Sequence, residues 1–278
     1  MKALLMQICN KIQFVSIGRV RCLALFLAFS FLQLHSLTCA ASTHSKVAPL
    51  APGTAIPIRF THTVMARTAR TGDALTARTL QVVLNGPVDS VPKGSRVLGH
   101  VVQVSYGGKN LDSLLTIEFD KIVYDHASHP ICASARAIAN SLDAYQATME
   151  TTSLETDPTL GTTLVGGDHI RPGDNQVIAP DGDDVGISNH FGVFSRLEPG
   201  EPHRGSTPHA CGGIPTLQSV AIFSSRACGL YGFPGMTMLS TGNGDPRGQI
   251  QLQSHRSGVE IPSGSAALLQ IVSCGSSK

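Results

Sequence analysis

Apolar residues in this chain recur at every second position in short runs, and Gly or Pro ends nearly every run. Ile56, Ile58 and Phe60 share one phase, Leu80, Val82 and Leu84 another, and Leu115, Ile117 and Phe119 repeat the pattern. Such alternation sets one face of an extended strand against a core. Asn85-Gly86-Pro87, Val91-Pro92-Lys93-Gly94-Ser95 and Tyr106-Gly107-Gly108-Lys109-Asn110 supply turns between the runs. Gly, Ser and Thr are plentiful and charge is sparse, which suits strands and loops better than helices. The fold class that follows is mainly β. It is a barrel or sandwich of short antiparallel strands, with a long Gly/Pro/Asp-rich loop and at most one short helix.

Strands are expected over residues 54–60, 75–84, 96–105, 115–124 and from 131 onward. Ile138, Leu142, Tyr145 and Met149 fall at helical spacing, so the last of these strands gives way to a short helix near Asn140. Residues 157–213 are rich in Gly, Pro and Asp and poor in large apolar side chains. They read as an irregular connection that cannot order itself without borrowed contacts. Further strands are expected over 217–224, 236–239, 249–253 and 266–272. The expected division is a signal peptide over 1–41, a barrel-like module over 42–152, an irregular connection over 153–213, and a second β module over 214–278 packed on the first. Deleting most of the connection is then expected to leave folding intact.

One five-residue pattern occurs twice. Val91-Pro92-Lys93-Gly94-Ser95 and Ile261-Pro262-Ser263-Gly264-Ser265 each precede an apolar strand. Pro92 and Pro262 preset φ, and Gly94 and Gly264 supply a positive φ, so both read as tight structural turns.

The N-terminus reads as an export signal. Lys2, Lys11, Arg19 and Arg21 form a basic segment, residues 22–34 are apolar, and Thr38-Cys39-Ala40-Ala41 offers small residues for cleavage. The apolar run is shorter than the roughly 20 residues a spanning helix needs. Cleavage after Ala40 or Ala41 leaves no transmembrane helix in the mature chain. Removing those four basic residues from 21 leaves 17, against 19 acidic ones. A slightly acidic chain is a poor partner for nucleic acid, which needs a basic face. The expected location is the periplasm, the outer envelope or the extracellular space.

Cysteine usage agrees with export. Cys9, Cys22 and Cys39 leave with the signal, and Cys132, Cys211, Cys228 and Cys274 remain. An even number in an oxidising compartment implies two disulfides. Cys211 with Cys228 closes a short loop, and Cys132 with Cys274 is then the remaining pair.

Four stretches, in order, resemble the C-terminal β-barrel domain of the TrbI-type scaffold proteins of conjugation and type IV secretion channels. They are Gly53-Thr54-Ala55-Ile56-Pro57, Thr71-Gly72-Asp73-Ala74-Leu75-Thr76-Ala77, Val91-Pro92-Lys93-Gly94-Ser95-Arg96-Val97-Leu98-Gly99 and Leu115-Thr116-Ile117-Glu118-Phe119-Asp120-Lys121-Ile122. The resemblance covers residues 53–138 and implies a barrel fold and an envelope setting. It carries no channel function with it, because a fold hosts many functions.

Candidate sites are few. His126, His129 and Cys132 have the spacing of metal ligands, but Pro130 lies inside the motif and Cys132 is wanted for a disulfide, so turn histidines are the better reading. Asp168, Asp174, Asp181, Asp183 and Asp184 could offer oxygens to Ca²⁺, yet their spacing is not that of an EF-hand, and a solvated loop is favoured. Gly242-Asn243-Gly244-Asp245-Pro246-Arg247-Gly248 contains Pro and opens a strand, so it reads as a hairpin turn and not a phosphate loop. The sequence contains neither G-x-S-x-G nor H-E-x-x-H. No catalytic, metal or cofactor residue is assigned. The expected function is a non-enzymatic assembly or binding module whose partner is an envelope protein or surface polymer. The alternative is an envelope or extracellular hydrolase acting on a polymer.

Overall fold

Strands of alternating apolar residues need a second apolar surface, and here the sheet supplies it by curling on itself. The computed structural model describes residues 49–86, 89–107, 112–149, 161–171, 173–203, 207–208, 211–241, 248–255 and 258–274. The expected signal and its cleavage site lie outside the described residues. The first strands are β1 (Ala55–Phe60), β2 (Val64–Met65), β3 (Ala74–Thr79), β4 (Val83–Asn85), β5 (Asp89–Val91), β6 (Arg96–Tyr106), β7 (Ser113–Tyr124), β8 (Ala127–Pro130) and β9 (Ala133–Ala139). The helix α1 (Ser141–Gln146) follows. Next come β10 (His169–Ile170), β11 (Gln176–Ile178), β12 (Asp184–Asn189), β13 (Gly192–Leu197), β14 (Thr207–Pro208) and β15 (Ile214–Ser219). Last are β16 (Gly229–Tyr231), β17 (Met236–Thr241), β18 (Gln249–Ser254), β19 (Glu260–Ile261) and β20 (Ala266–Ile271).

The main sheet has 11 strands in the order β14-β17-β18-β7-β6-β3-β1-β20-β9-β16, with β8 hairpinned onto β7. Strands β9 and β16 come back against β17, so the sheet is a nearly closed barrel. The seam is tight at Gly248, just before β18. Its φ is +69°, and a Cβ there would stand 2.6 Å from the carbonyl of Ala133 at the start of β9. Only glycine lets the two ends approach this closely. Ile56, Ile58, Phe60, Ile117, Phe119 and Ile250 fill the interior, with Phe60 and Phe119 in ring contact at 5.8 Å.

The two P-x-G-S turns occupy equivalent places in a repeated arrangement. β19 pairs with β2 while β20 pairs with β1, and β5 pairs with β4 while β6 pairs with β3. In the first turn Ser95 N donates to Pro92 O and Gly94 N to Thr79 O. In the second Ser265 N donates to Pro262 O and Gly264 N to Phe60 O. Gly94 and Gly264 have φ of 82° and 87°. Each Pro opens the turn, and each Gly takes the third position, where a type II turn needs positive φ. Connections 61–63 and 80–82 match in length, as do 92–95 and 262–265.

The expected strand 75–84 is broken into β3 and β4, because residues 80–82 leave the barrel wall to meet a second layer. The expected strand 217–224 likewise ends at Ser219, and Ala221 takes a φ of 52°. Asn140 caps α1, accepting from Asp143 N at 2.7 Å, which sets the short helix where the sequence put it.

Two expectations about organisation are corrected. Residues 161–203 do not form an irregular connection. They carry β10 to β13, which join β15 in a five-stranded antiparallel sheet in the order β10-β11-β12-β13-β15. This sheet lies on the outside of β20 and β9, where Leu268, Ala137, Val220, Ile222, Phe223 and Leu197 form a second core. Its strands hold few large apolar residues because they borrow contacts from the barrel flank. Nor are 42–152 and 214–278 two modules. β20 lies between β1 and β9, and β18 pairs with β7, so both halves of the chain build one barrel wall.

Candidate functional site

A hairpin of the second sheet meets the barrel at Gln81. β12 and β13 pair from Gly186–Ser195 to Asn189–Gly192, leaving His190 and Phe191 as the turn. Asn189 Oδ1 accepts from Phe191 N at 2.9 Å and holds that turn. Gln81 Nε2 donates to Val193 O at 2.8 Å, and Val193 N donates to Gln81 Oε1 at 2.8 Å. The amide thus pairs with β13 as another strand would. Gly192 makes this approach feasible, since its φ is +140° and a Cβ would stand 2.2 Å from Gln81 Oε1.

Beside this junction lies a cleft of about 450 Å³, within the usual range for small-molecule sites. Leu80, Leu164, Ile170 and Ile222 line its apolar part, and Phe191, 54% exposed, stands on its rim. Arg59, Lys93 and His190 supply its titratable groups, beside the polar Gln81, Thr148 and Asn189, and among the described residues no Asp or Glu lines it. Arg59 faces this layer because Ile58 and Phe60 on either side point into the barrel. Its Nε is buried without a hydrogen-bond partner. Lys93 is there because the 92–95 turn presents it.

Outside the cleft, Arg136 ties barrel to second layer. In the β9–β20 register Ala137 opposes Leu268 and Ala135 opposes Leu269, so Arg136 is bulged out of the pairing. It is fully buried. Its Nε donates to Ala227 O at 3.0 Å, Nη1 to Gly212 O at 2.6 Å, and Nη2 to Glu198 O and to Ser225 O at 3.2 Å. Burial lowers its pKa to about 10, and the nearby Tyr231 opposes that shift, so the guanidinium stays charged at neutral pH.

Asp168 is also fully buried, and its Oδ2 accepts from Ser225 N at 2.6 Å. Burial pushes its carboxyl above the usual range against that hydrogen bond. Ser224 and Ser225 are fully enclosed beside it. A serine near a carboxylate suggests nucleophilic chemistry, but groups with no surface exposure do not meet a substrate. Arg226 holds Asp181 at 2.7 Å and Glu198 at 2.6 Å, and its hydrogen bond lowers the Asp181 carboxyl.

The residues singled out from sequence are dispersed. Cys211–Cys228 and Cys132–Cys274 are disulfides, with Cα separations of 5.7 and 5.4 Å. His126 sits in the two-residue turn between β7 and β8 at a φ of 62°, while His129 stacks on Tyr124 at 4.3 Å. Asp174 lies 3.7 Å from Arg171, Asp184 Oδ1 accepts from Gly186 N, and Asp168 and Asp181 are engaged as described. Among the described residues, no group of three or more His, Cys, Asp or Glu is placed to hold a metal ion. Residues 242–247 lie outside the described residues, and β17 and β18 on either side of them are antiparallel. Sequence reasoning missed Gln81, Arg59 and Arg136. The one available signal was Arg136 itself, a lone charge in the run Ala133-Ser134-Ala135-Arg136-Ala137-Ile138-Ala139.

No family model, no curated protein and no solved structure matches this chain.

Proposed function

We propose that this chain is an exported cell-envelope or secreted β-barrel protein that works as a non-enzymatic binding or assembly module. The observation that carries the reading is the cleft at the Gln81–Val193 junction. It is walled by both layers, fixed by reciprocal hydrogen bonds and rimmed by an exposed phenylalanine. Binding residues on loops held by a rigid scaffold have this character. Among the described residues, the cleft's titratable groups are cations and a histidine, which suit holding an anion better than the paired carboxylates of glycoside hydrolysis.

Two disulfides support an oxidising compartment. Among the described residues no helix is long and apolar enough to cross a membrane. The stretches resembling the TrbI-type barrel fall on β1, β3, β6 and β7, which are neighbours in the sheet. That adjacency supports reading them as one unit.

The test is affinity purification of the tagged full chain from its own envelope, beside the same chain carrying Phe191→Ser. A discrete envelope protein or surface polymer should be retained by the wild type and reduced in the variant. Retention of nothing above an untagged control, or turnover of an envelope polymer by the purified chain, would contradict the reading.

A further inference from the structure

We propose that the cleft binds a small amphipathic carboxylate, a medium-chain fatty acid, with its head at Arg59 and Lys93 and its tail along Leu80, Ile222 and Phe191. This rests on the binding-module reading and gives it a ligand class. The first observation is an excess of positive charge. Arg59 on β1 stands directly opposite Arg78 on β3, and Lys93 lies in the turn above them. Like charges directly across a sheet repel. Arg78 Nη1 is turned aside to the carbonyl of Gly94 at 2.9 Å. None of the ion pairs among the described residues involves Arg59, Arg78 or Lys93.

The second observation is the buried Nε of Arg59, a charged donor with no acceptor. Leaving such a donor unpaired is costly, and a guanidinium fork matches the two oxygens of a carboxylate. The third is the wall. Apart from the two cations, the His190–Phe191 turn and the uncharged Gln81, Thr148 and Asn189, it is aliphatic, and among the described residues no acidic one lines it to repel an anion. A ligand answering all three features carries one anionic head and an unbranched apolar tail. The Gln81–Val193 bonds hold the cleft open in advance, so binding needs no rearrangement of the two layers.

Isothermal titration of the disulfide-intact mature chain tests this with three probes: decanoate, decanol and acetate. Decanoate should bind saturably at one site, decanol about tenfold or more weaker, and acetate without measurable heat, as expected for one charge-assisted contact added to a buried tail. Arg59→Gln and Lys93→Gln should each weaken decanoate by about tenfold while leaving decanol unchanged. Equal affinity for decanoate and decanol, unchanged affinity in both variants, or no saturable binding would overturn the proposal. Should Arg59→Gln fail to fold, Lys93→Gln on the exposed turn decides. A partner retained from the envelope while decanoate does not bind removes the ligand and keeps the module. Decanoate binding with no retained partner removes the assembly role and leaves a small-molecule carrier.

Discussion

The side-chain amide of Gln81 and the backbone of Val193 exchange two hydrogen bonds of 2.8 Å, joining the barrel to the second sheet across a long sequence separation. Gln81 is 4% exposed, and removing it takes the acceptor from the Val193 N–H and one of two donors from the Val193 carbonyl, which keeps Val220 N at 3.1 Å. Gln81→Ala should destabilise the chain by about 1–3 kcal/mol. Gly192→Ala should cost about as much, because it forces both an unfavourable φ and a clash with Gln81. Combining the two should cost less than their sum, since both act on one contact. Urea unfolding of the single and double variants checks this.

Arg136 holds four carbonyls from three stretches of the second layer. Arg136→Met keeps the stem and removes every donor, leaving the carbonyls of Glu198, Gly212, Ser225 and Ala227 without it. A loss of about 3–5 kcal/mol is expected, because several enclosed carbonyls lose a charged donor at once, at about 1–3 kcal/mol each. Arg136→Lys should not restore stability, because an ammonium cannot match the fork. Chemical denaturation of both variants measures the difference.

Asp168 gives a pH dependence of defined sign. Its folded pKa is raised above the unfolded value by burial. Its stabilising contribution is therefore complete below the unfolded pKa and is lost as pH rises through the folded one. Asp168→Asn still offers an oxygen to Ser225 N and does not titrate. The stability of the variant relative to wild type should rise from about pH 4 toward neutrality. A difference that stays flat with pH would show that Asp168 is not destabilised by burial.

The two disulfides should differ in weight. Cys211–Cys228 spans a sequence separation of 17 and Cys132–Cys274 one of 142. In the chain-entropy model these constrain the unfolded state by roughly 3 and 5 kcal/mol. Paired Cys→Ser replacements of each bridge, compared by thermal unfolding, should show the larger loss for 132–274.

How much of this was legible in the sequence follows from which faces the strands bury. β1 and β7 put Ile56, Ile58, Phe60, Ile117 and Phe119 into the barrel at period two, and that rhythm is plain in the residues. β9 and β20 are buried on both faces, one in the barrel and one under the second sheet, so they show no alternation. The bulge at Arg136 disrupts the rhythm of β9 further. β10 to β13 were hidden because the apolar residues of this layer, such as Leu164, Val177 and Val185, form only a small cluster of their own. Their remaining stabilisation comes from Phe223, Ile222 and Leu268, which are distant in sequence. The turns at Pro92–Gly94 and Pro262–Gly264 were legible because φ demands are local. The cleft was not, since Arg59, Gln81, Lys93 and Phe191 are brought together only by the packing of the two layers.

The central structural claim is that the five-stranded sheet is an integral wall of the barrel protein and therefore a fixed wall of the cleft. Native-state hydrogen exchange tests it most directly. The amide that closes the two layers, Val193 N on Gln81, and one inside the second layer, Val165 N on Ile222 O, should exchange only through the same global opening as barrel amides such as Phe60 N on Ser265 O. Their opening free energies should then agree and fall together with denaturant. If the amides of residues 161–197 exchange through a separate, low-energy opening while the barrel stays protected, the second sheet is a detachable layer and the account of the cleft is wrong.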